Sequence, residues 1–279
     1  MPIDLTPLIA HVPAWLLVLF RLSGIFLFAP LFGSSAVPVR IRVMLAVGLS
    51  LCVYPALVQP GAAALPLIAP LLEGGLGLWS VVGVTATELM VGLVIGFGAS
   101  LPLTGMQLAG HIIDQQIGLG LAGVFNPDLN EQGSVVGEFL FMMALTVFLV
   151  LGGHRILLST LVGSFSLVPL GGFVPGSDVL QLIMGLMTVM FDLALRVAGP
   201  LLCLIFLQTV ALGFIARTVP QLNILSIGFP LRILVGAGIL VLSVASLNDA
   251  FLTAMRGTLG EISGFFSFVS TPDPGLLPP

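Results

Sequence analysis

Arg21, Glu88, Asp192, Arg196 and Arg232 are ionisable side chains set inside long apolar runs. At the centre of a lone inserted helix each would cost about 2.5 to 3.5 kcal/mol, so each demands a counter-charge, a hydrogen-bonding neighbour or water. Asp192 and Arg196 stand one helical turn apart with the acid first, the better order for an intrahelical ion pair. The chemistry open to such a pair is a proton or ion relay, or plain mutual neutralisation. Relays gather several acids around one cavity, which favours neutralisation. Glu88 has no partner nearby in the sequence and is the more open case.

Other reactive groups are sparse. His11, His111 and His154 are widely scattered, and neither a His-Glu-Xaa-Xaa-His nor a Gly-Xaa-Ser-Xaa-Gly pattern occurs. All 8 basic residues are arginine, so a P-loop lysine and a Schiff-base lysine are excluded. Cys52 and Cys203 lie in apolar runs without metal-ligand spacing and read as small buried side chains. We therefore expect no enzyme, no metal and no cofactor.

Two polar interruptions remain. The first runs from Gly105 to Gly137 and holds His111, Asp114, Gln115 and Gln116. It continues through Gly118, Leu119, Gly120, Leu121, Ala122, Gly123 and Val124 to Phe125, Asn126, Pro127 and Asp128. Small-residue backbone beside a proline turn can bend where leucine-rich helix cannot, so a movable loop is expected. The second, Ala216 to Asn223, contains Arg217, Pro220, Gln221 and Asn223. It reads as a helix-to-helix turn that folds Val179–Ala216 and Ile224–Glu261 into an antiparallel hairpin.

The elements that must position these residues follow from composition. Of 279 residues, 58% are hydrophobic and 7% charged, against roughly 25% charged in soluble domains. Hydrocarbon or partner subunits must cover such a surface. The apolar runs are Pro13–Phe32, Val43–Leu57, Leu76–Leu108, Val135–Leu151, Ile156–Leu170, Val179–Ala216 and Ile224–Leu247. They lack the alternation of barrel strands, and lipid leaves helices as the other way to satisfy the backbone, so an all-α membrane fold follows. Val179–Ala216 would be roughly 57 Å long at about 1.5 Å per residue, more than one crossing requires, while Ile156–Leu170 is short for a span.

The 34 glycines and 20 prolines punctuate these runs. Pro102, Pro200 and Pro230 should kink helices where neighbours satisfy the freed groups. Gly92 with Gly96, and Gly133 with Gly137, have the spacing that lets helix backbones approach closely. Counting each run as one crossing puts Arg40 and Arg42 opposite Arg155 and Arg217, so the chain does not zigzag simply through lipid. The net charge of -4 is dispersed and suggests no nucleic acid. Met1 to Pro13 has Asp4 and no basic stretch, so no cleaved signal peptide is expected. After Gly264 the chain turns from Phe265, Phe266 and Phe268 to a Pro-rich end that should be partly disordered.

Three segments together resemble the FliR/SctT family of type III export-gate proteins. The first is Arg21-Leu22-Ser23-Gly24 leading to Ala29-Pro30-Leu31-Phe32-Gly33 and Pro38-Val39-Arg40-Ile41-Arg42. The second runs from Gly110 through Asp114-Gln115-Gln116-Ile117-Gly118-Leu119 and Asn126-Pro127-Asp128, then Gly153-His154 and Ser164-Phe165 up to Pro169. The third is Ala216-Arg217-Thr218-Val219-Pro220-Gln221-Leu222-Asn223 with Ile227-Gly228-Phe229-Pro230-Leu231-Arg232, where the family often has lysine at the position of Arg232.

The resemblance implies long, kinked helices and helical hairpins in a hetero-oligomeric gate of the bacterial inner membrane at the flagellar basal body. FliP, FliQ, FlhB and FlhA homologues would be its partners, alongside membrane lipid and unfolded protein substrates. It further implies a FliP-like part at 1–178, a FliQ-like hairpin at 179–262 and a tail at 263–279. Gly118 to Phe125 matches the family's channel-closing loop, and Arg217, Pro220, Gln221 and Asn223 would make subunit contacts or cap the turn. The virulence injectisome is the alternative setting. A secondary solute transporter is the runner-up from another class, disfavoured because the two halves lack matched interrupted segments.

Overall fold

Backbone that cannot reach water must bond to itself, and the long apolar runs do so as helices. The computed structural model describes residues 6–30, 32–33, 37–57, 78–118, 134–218 and 224–270. Among these residues the helices are α1 (Thr6–Phe28), α2 (Val39–Leu57), α3 (Leu78–Ile117), α4 (Val135–Val150), α5 (Gly153–Leu167), α6 (Ser177–Thr218) and α7 (Ile224–Ser270), and no strand occurs. Five of them, α1, α2, α3, α6 and α7, are long and apolar enough to cross a membrane. The protein is an all-α, multi-pass membrane protein.

The uneven lengths read from the sequence reappear. α3, α6 and α7 have 40, 42 and 47 residues, or about 60 to 70 Å at ~1.5 Å per residue. Between α4 and α5 Gly152 takes a left-handed φ of 69° that a side chain would strain. Helix continues through Pro13, Pro55, Pro102, Pro200 and Pro230.

One boundary differs from the sequence reading. The polar interruption was expected to open at Gly105, but α3 stays helical to Ile117. Met106, Ala109, Ile113 and Ile117 recur at helical spacing and are buried, while Gln107, His111, Gln115 and Gln116 point outward. An amphipathic stripe, not a loop, carries those polar residues.

The chain forms two compact units. The first comprises 1–100, 152–186 and 258–279, and the second 101–151 and 187–257. In the first, α1 runs alongside the opening half of α3, with Leu22, Ile25, Val91 and Ile95 buried. α2 joins α1 through His11 Nδ1 and Tyr54 Oη, 2.8 Å apart. Gly98 lets Leu186 and Ile262 pack directly on α3, since a Cβ there would come within 3.2 Å of both side chains.

In the second unit, three neighbours surround the closing half of α3. Gly105 faces the Met190 carbonyl of α6, Gly110 faces Gly137 of α4, and Ile117 fills the notch left by Gly236 of α7. A missing Cβ at each crossing permits the close approach. Gly137 thus belongs to a helix crossing; Gly133 lies outside the described residues.

Candidate functional site

The close contact of α1 and α3 brings two charges together. A Cβ on Gly92 would fall on the Arg21 carbonyl oxygen, one on Gly24 would fall on the Leu89 carbonyl, and one on Gly96 would stand 2.8 Å from the Ile25 carbonyl. Only glycine allows this seam. Glu88 lies one turn before Gly92 and so faces Arg21 across it. Arg21 Nε donates to Glu88 Oε2 at 2.5 Å, and both side chains are 0% exposed.

The pair is embedded in further contacts. Arg21 Nη1 donates to Ser164 Oγ at 3.3 Å and to the Val168 carbonyl at 3.1 Å. The Ser164 hydroxyl donates to Leu161 O, which leaves its lone pairs for the guanidinium. The guanidinium carbon stands 4.3 Å from the Phe165 ring centroid, a cation–π contact. Arg21 Nη2 is buried with no hydrogen-bond partner among the described residues. Glu88 Oε1 accepts the Gly171 N–H at 2.8 Å. Gly171 has φ 77°, a left-handed turn that glycine tolerates without a Cβ penalty.

Burying one charge without a partner is prohibitive, whereas a pair with filled hydrogen-bond sites is tolerable. The arrangement clasps α1, α3, α5 and the 168–172 turn together. Proximity in the sequence could not reveal the partner of Glu88, which lies 67 residues away. Ser164, Phe165, Val168 and Gly171 carried no chemical signal of their own. Yet Arg21, Gly24, Ser164 and Phe165 all fall in the segments quoted for the family resemblance, and the fold gathers them around one carboxylate.

Asp192 and Arg196 pair as their spacing predicted, at 2.8 Å, but with 59% and 63% of their side chains exposed. They border a cleft of about 140 Å³ with Val189 and Leu193 on α6, facing Ala250, Thr253, Ala254 and Gly257 on α7. Nearer the turn, Arg232 donates to Thr209 Oγ1 at 3.1 Å. Advancing along α6 thus meets α7 in reverse, the antiparallel hairpin expected from the sequence. Cys52 and Cys203 are exposed rather than buried, a correction. Apolar surroundings in the sequence led to the buried reading, but these helix faces are not covered by the chain itself.

Of the expected gating loop, the structure describes Gly118, where α3 ends. Its φ of 90° is left-handed, and its N–H donates to the Asp114 carbonyl at 3.0 Å. Asp114 is 4% exposed, and its Oδ1 is buried without a hydrogen-bond partner among the described residues. Across the loop, Ser134 caps α4 by accepting the Gly137 N–H at 2.8 Å. Leu119, Gly120, Leu121, Ala122, Gly123, Val124 and Phe125 lie outside the described residues, as do Pro220, Gln221, Asn223 and the tail beyond Ser270. Arg217 is exposed in the last turn of α6. Among the described residues no three His, Cys, Asp or Glu side chains gather as a metal site would require.

Residues 12–258 match the family model described as bacterial export proteins, family 1. The flagellar biosynthetic protein FliR of Bacillus subtilis is 31% identical over 236 residues, which cover 84% of this chain and 86% of that one. FliR of Caulobacter vibrioides is 29% identical over 87% of this chain and 93% of its own length. The Yop proteins translocation protein T of Yersinia pestis is 28% identical over 88% of this chain and 92% of its own.

Proposed function

Because this chain belongs to family 1 of the bacterial export proteins, we propose that it is a subunit of a type III protein-export gate. It helps to form and close a channel through which unfolded flagellar proteins cross the inner membrane. The observation that carries this reading is a likeness running through residues 12–258. Relatives named for flagellar biosynthesis and for protein translocation share it. The flagellar setting is favoured over the injectisome by the FliR relatives and by the Ile227-Gly228-Phe229-Pro230 stretch. The site is the inner membrane at the flagellar basal body.

The partners in this reading are FliP- and FliQ-type subunits in one complex, with FlhB and FlhA homologues beside it. Residues 1–178 act as the FliP-like part and 179–262 as the FliQ-like hairpin. Gly118 to Phe125 seal the pore at rest and fold aside for substrate. Arg217, Pro220, Gln221 and Asn223 make contacts at the hairpin turn. Large exposed apolar side chains such as Phe206, Leu207 and Phe214 support a chain whose sides are covered by something other than itself.

Co-expression of a tagged chain with FliP- and FliQ-type subunits should yield one co-purifying complex, and loss of the chain should stop secretion of flagellar proteins. A solitary particle that is dispensable for secretion overturns the proposal. Deleting Gly118 to Ala122 should raise ion leakage through the assembled gate; unchanged conductance removes the loop from the mechanism.

A further inference from the structure

We infer that the last turn of α3 is the part that moves when the proposed channel opens, and that Gly236 of α7 is its resting seat. Ile117 sits in the Gly236 notch while the channel is closed and leaves it when substrate passes, whereas the start of α4 stays fixed. The inference deepens the export-gate reading and rests on it.

The helices on either side of residues 119–133 are held in different ways. A Cβ added to Gly110 of α3 would stand 2.5 Å from Gly137 Cα and 2.6 Å from Gly137 N at the start of α4, and one added to Gly137 would stand 3.0 Å from the Gln107 carbonyl oxygen. Backbone lies on backbone there, so the crossing has no side chain that could swing aside. Ser134 caps the same end of α4 by accepting the Gly137 N–H.

The end of α3 is held by one side chain instead. Ile117 lies about 10 Å beyond Gly110 at ~1.5 Å per residue. A Cβ on Gly236 would fall on Ile117 Cδ1 and stand 2.8 Å from its Cγ1. Ile117 is 2% exposed and branched at Cβ, so it cannot turn about χ1 into free space while it occupies the notch. Polar side chains of this turn do not reinforce the seat. Asp114 Oδ1 is buried with no hydrogen-bond partner among the described residues, and His111 and Gln115, 3.0 Å apart, bond to each other on the outward face of α3. A seat made by shape can be left and regained without stranding a donor or an acceptor.

The neighbours suit this division. Gly118, next to Ile117, ends the helix at φ 90°, a conformation that glycine enters and leaves at little steric cost. Arg232, one turn before Gly236, donates to Thr209 Oγ1 of α6 at 3.1 Å and so braces the notch while α3 departs. All of these residues belong to the second unit. One unyielding crossing and one yielding seat define which end moves, and a packed side chain with two discrete positions is what a switch requires.

The test uses the gate assembled with its FliP- and FliQ-type subunits in cell membranes. Gly236→Ala overpacks the notch and should raise ion leakage roughly tenfold, the shift in a two-position equilibrium that one surplus methyl brings, with the complex recovered at wild-type yield. Adding Ile117→Val removes the Cδ1 that the new Cβ would meet first and should reverse most of that rise. Gly110→Ala, at the unyielding crossing, should lose the complex instead. In a background of Cys52→Ser and Cys203→Ser, a disulfide made by Ile117→Cys with Gly236→Cys should keep leakage at the resting level and stop secretion until reductant is added. Leakage raised by deleting Gly118 to Ala122 but not by Gly236→Ala overturns the seat alone; leakage unmoved by either overturns the gate reading with it. A rise that Ile117→Val does not reverse overturns the inference, because bulk on α7 and not the fit of Ile117 would then open the channel. Secretion that continues across the formed bridge, or a cysteine pair that fails to bridge at rest, overturns it too. Should Gly236→Ala lower the yield, the disulfide decides.

Discussion

Arg21–Glu88 joins residues 67 positions apart and is wholly buried, whereas Asp192–Arg196 spans a single helical turn and is more than half exposed. Both pairs sit in helices with few other charges, yet they meet the cost of charge differently. In the first region the chain supplies most of what the charges need: a counter-ion, a hydroxyl, a carbonyl, an aromatic face and a turned glycine N–H. In the second the helix supplies only the opposite charge, and the surroundings must do the rest. The contrast separates a region built to hold its own helices from one built to face something else.

The largest effect should come from breaking the buried pair. Arg21→Met or Glu88→Leu alone leaves an uncompensated charge, a loss on the order of 3–5 kcal/mol. The chain recovered in membranes, read by immunoblot, should fall at least tenfold. Making both substitutions together removes both charges and should restore most of the level. A double variant as depleted as the singles would break the comparison, because the site would then matter for more than charge balance.

Next comes the seam that positions the pair. Gly92→Ala places a methyl on the Arg21 carbonyl, where only backbone can yield, and overpacking of that kind costs roughly 1–3 kcal/mol. Gly48→Ala and Gly83→Ala meet open space and should stay within about 0.5 kcal/mol. Thermal unfolding of the three purified variants in detergent tests the ordering; equal midpoints would contradict close backbone contact between α1 and α3.

Within the second unit, Ser134→Ala removes the cap of α4 and should cost about 1 kcal/mol. Ser134→Asp should retain most of the wild-type midpoint, which distinguishes a lost cap from a lost contact. The smallest effect is expected at the exposed pair. Asp192→Asn should change stability in detergent by less than about 0.5 kcal/mol, and that difference should shrink in high salt. A loss comparable to that of Glu88→Leu would mean that the two pairs are not different in kind.

How far each region could be read in advance follows from the range of its interactions. Asp192–Arg196 was legible because a helix dictates which residues share a face four positions apart. The Gly92–Gly96 spacing likewise pointed to a tight crossing, although not to α1 as the partner. The end of α3 lies beyond the point where polar residues begin, because the buried stripe Met106, Ala109, Ile113 and Ile117 beneath them keeps the backbone helical. Cys52 and Cys203 are exposed although their sequence surroundings are apolar, because an apolar run does not say what covers it.

Residue order alone determined that this chain is helical and lives in a membrane, since so few charges over such long apolar runs leave the backbone no other way to satisfy itself. It also determined the excessive helix lengths and the local ion pair. Tertiary structure decided that Arg21 answers Glu88, that Gly171 turns its N–H to the same carboxylate, and which glycines are crossings. Those contacts join positions far apart in the chain, and a buried charge names its partner only when the packing of several helices has brought that partner within reach.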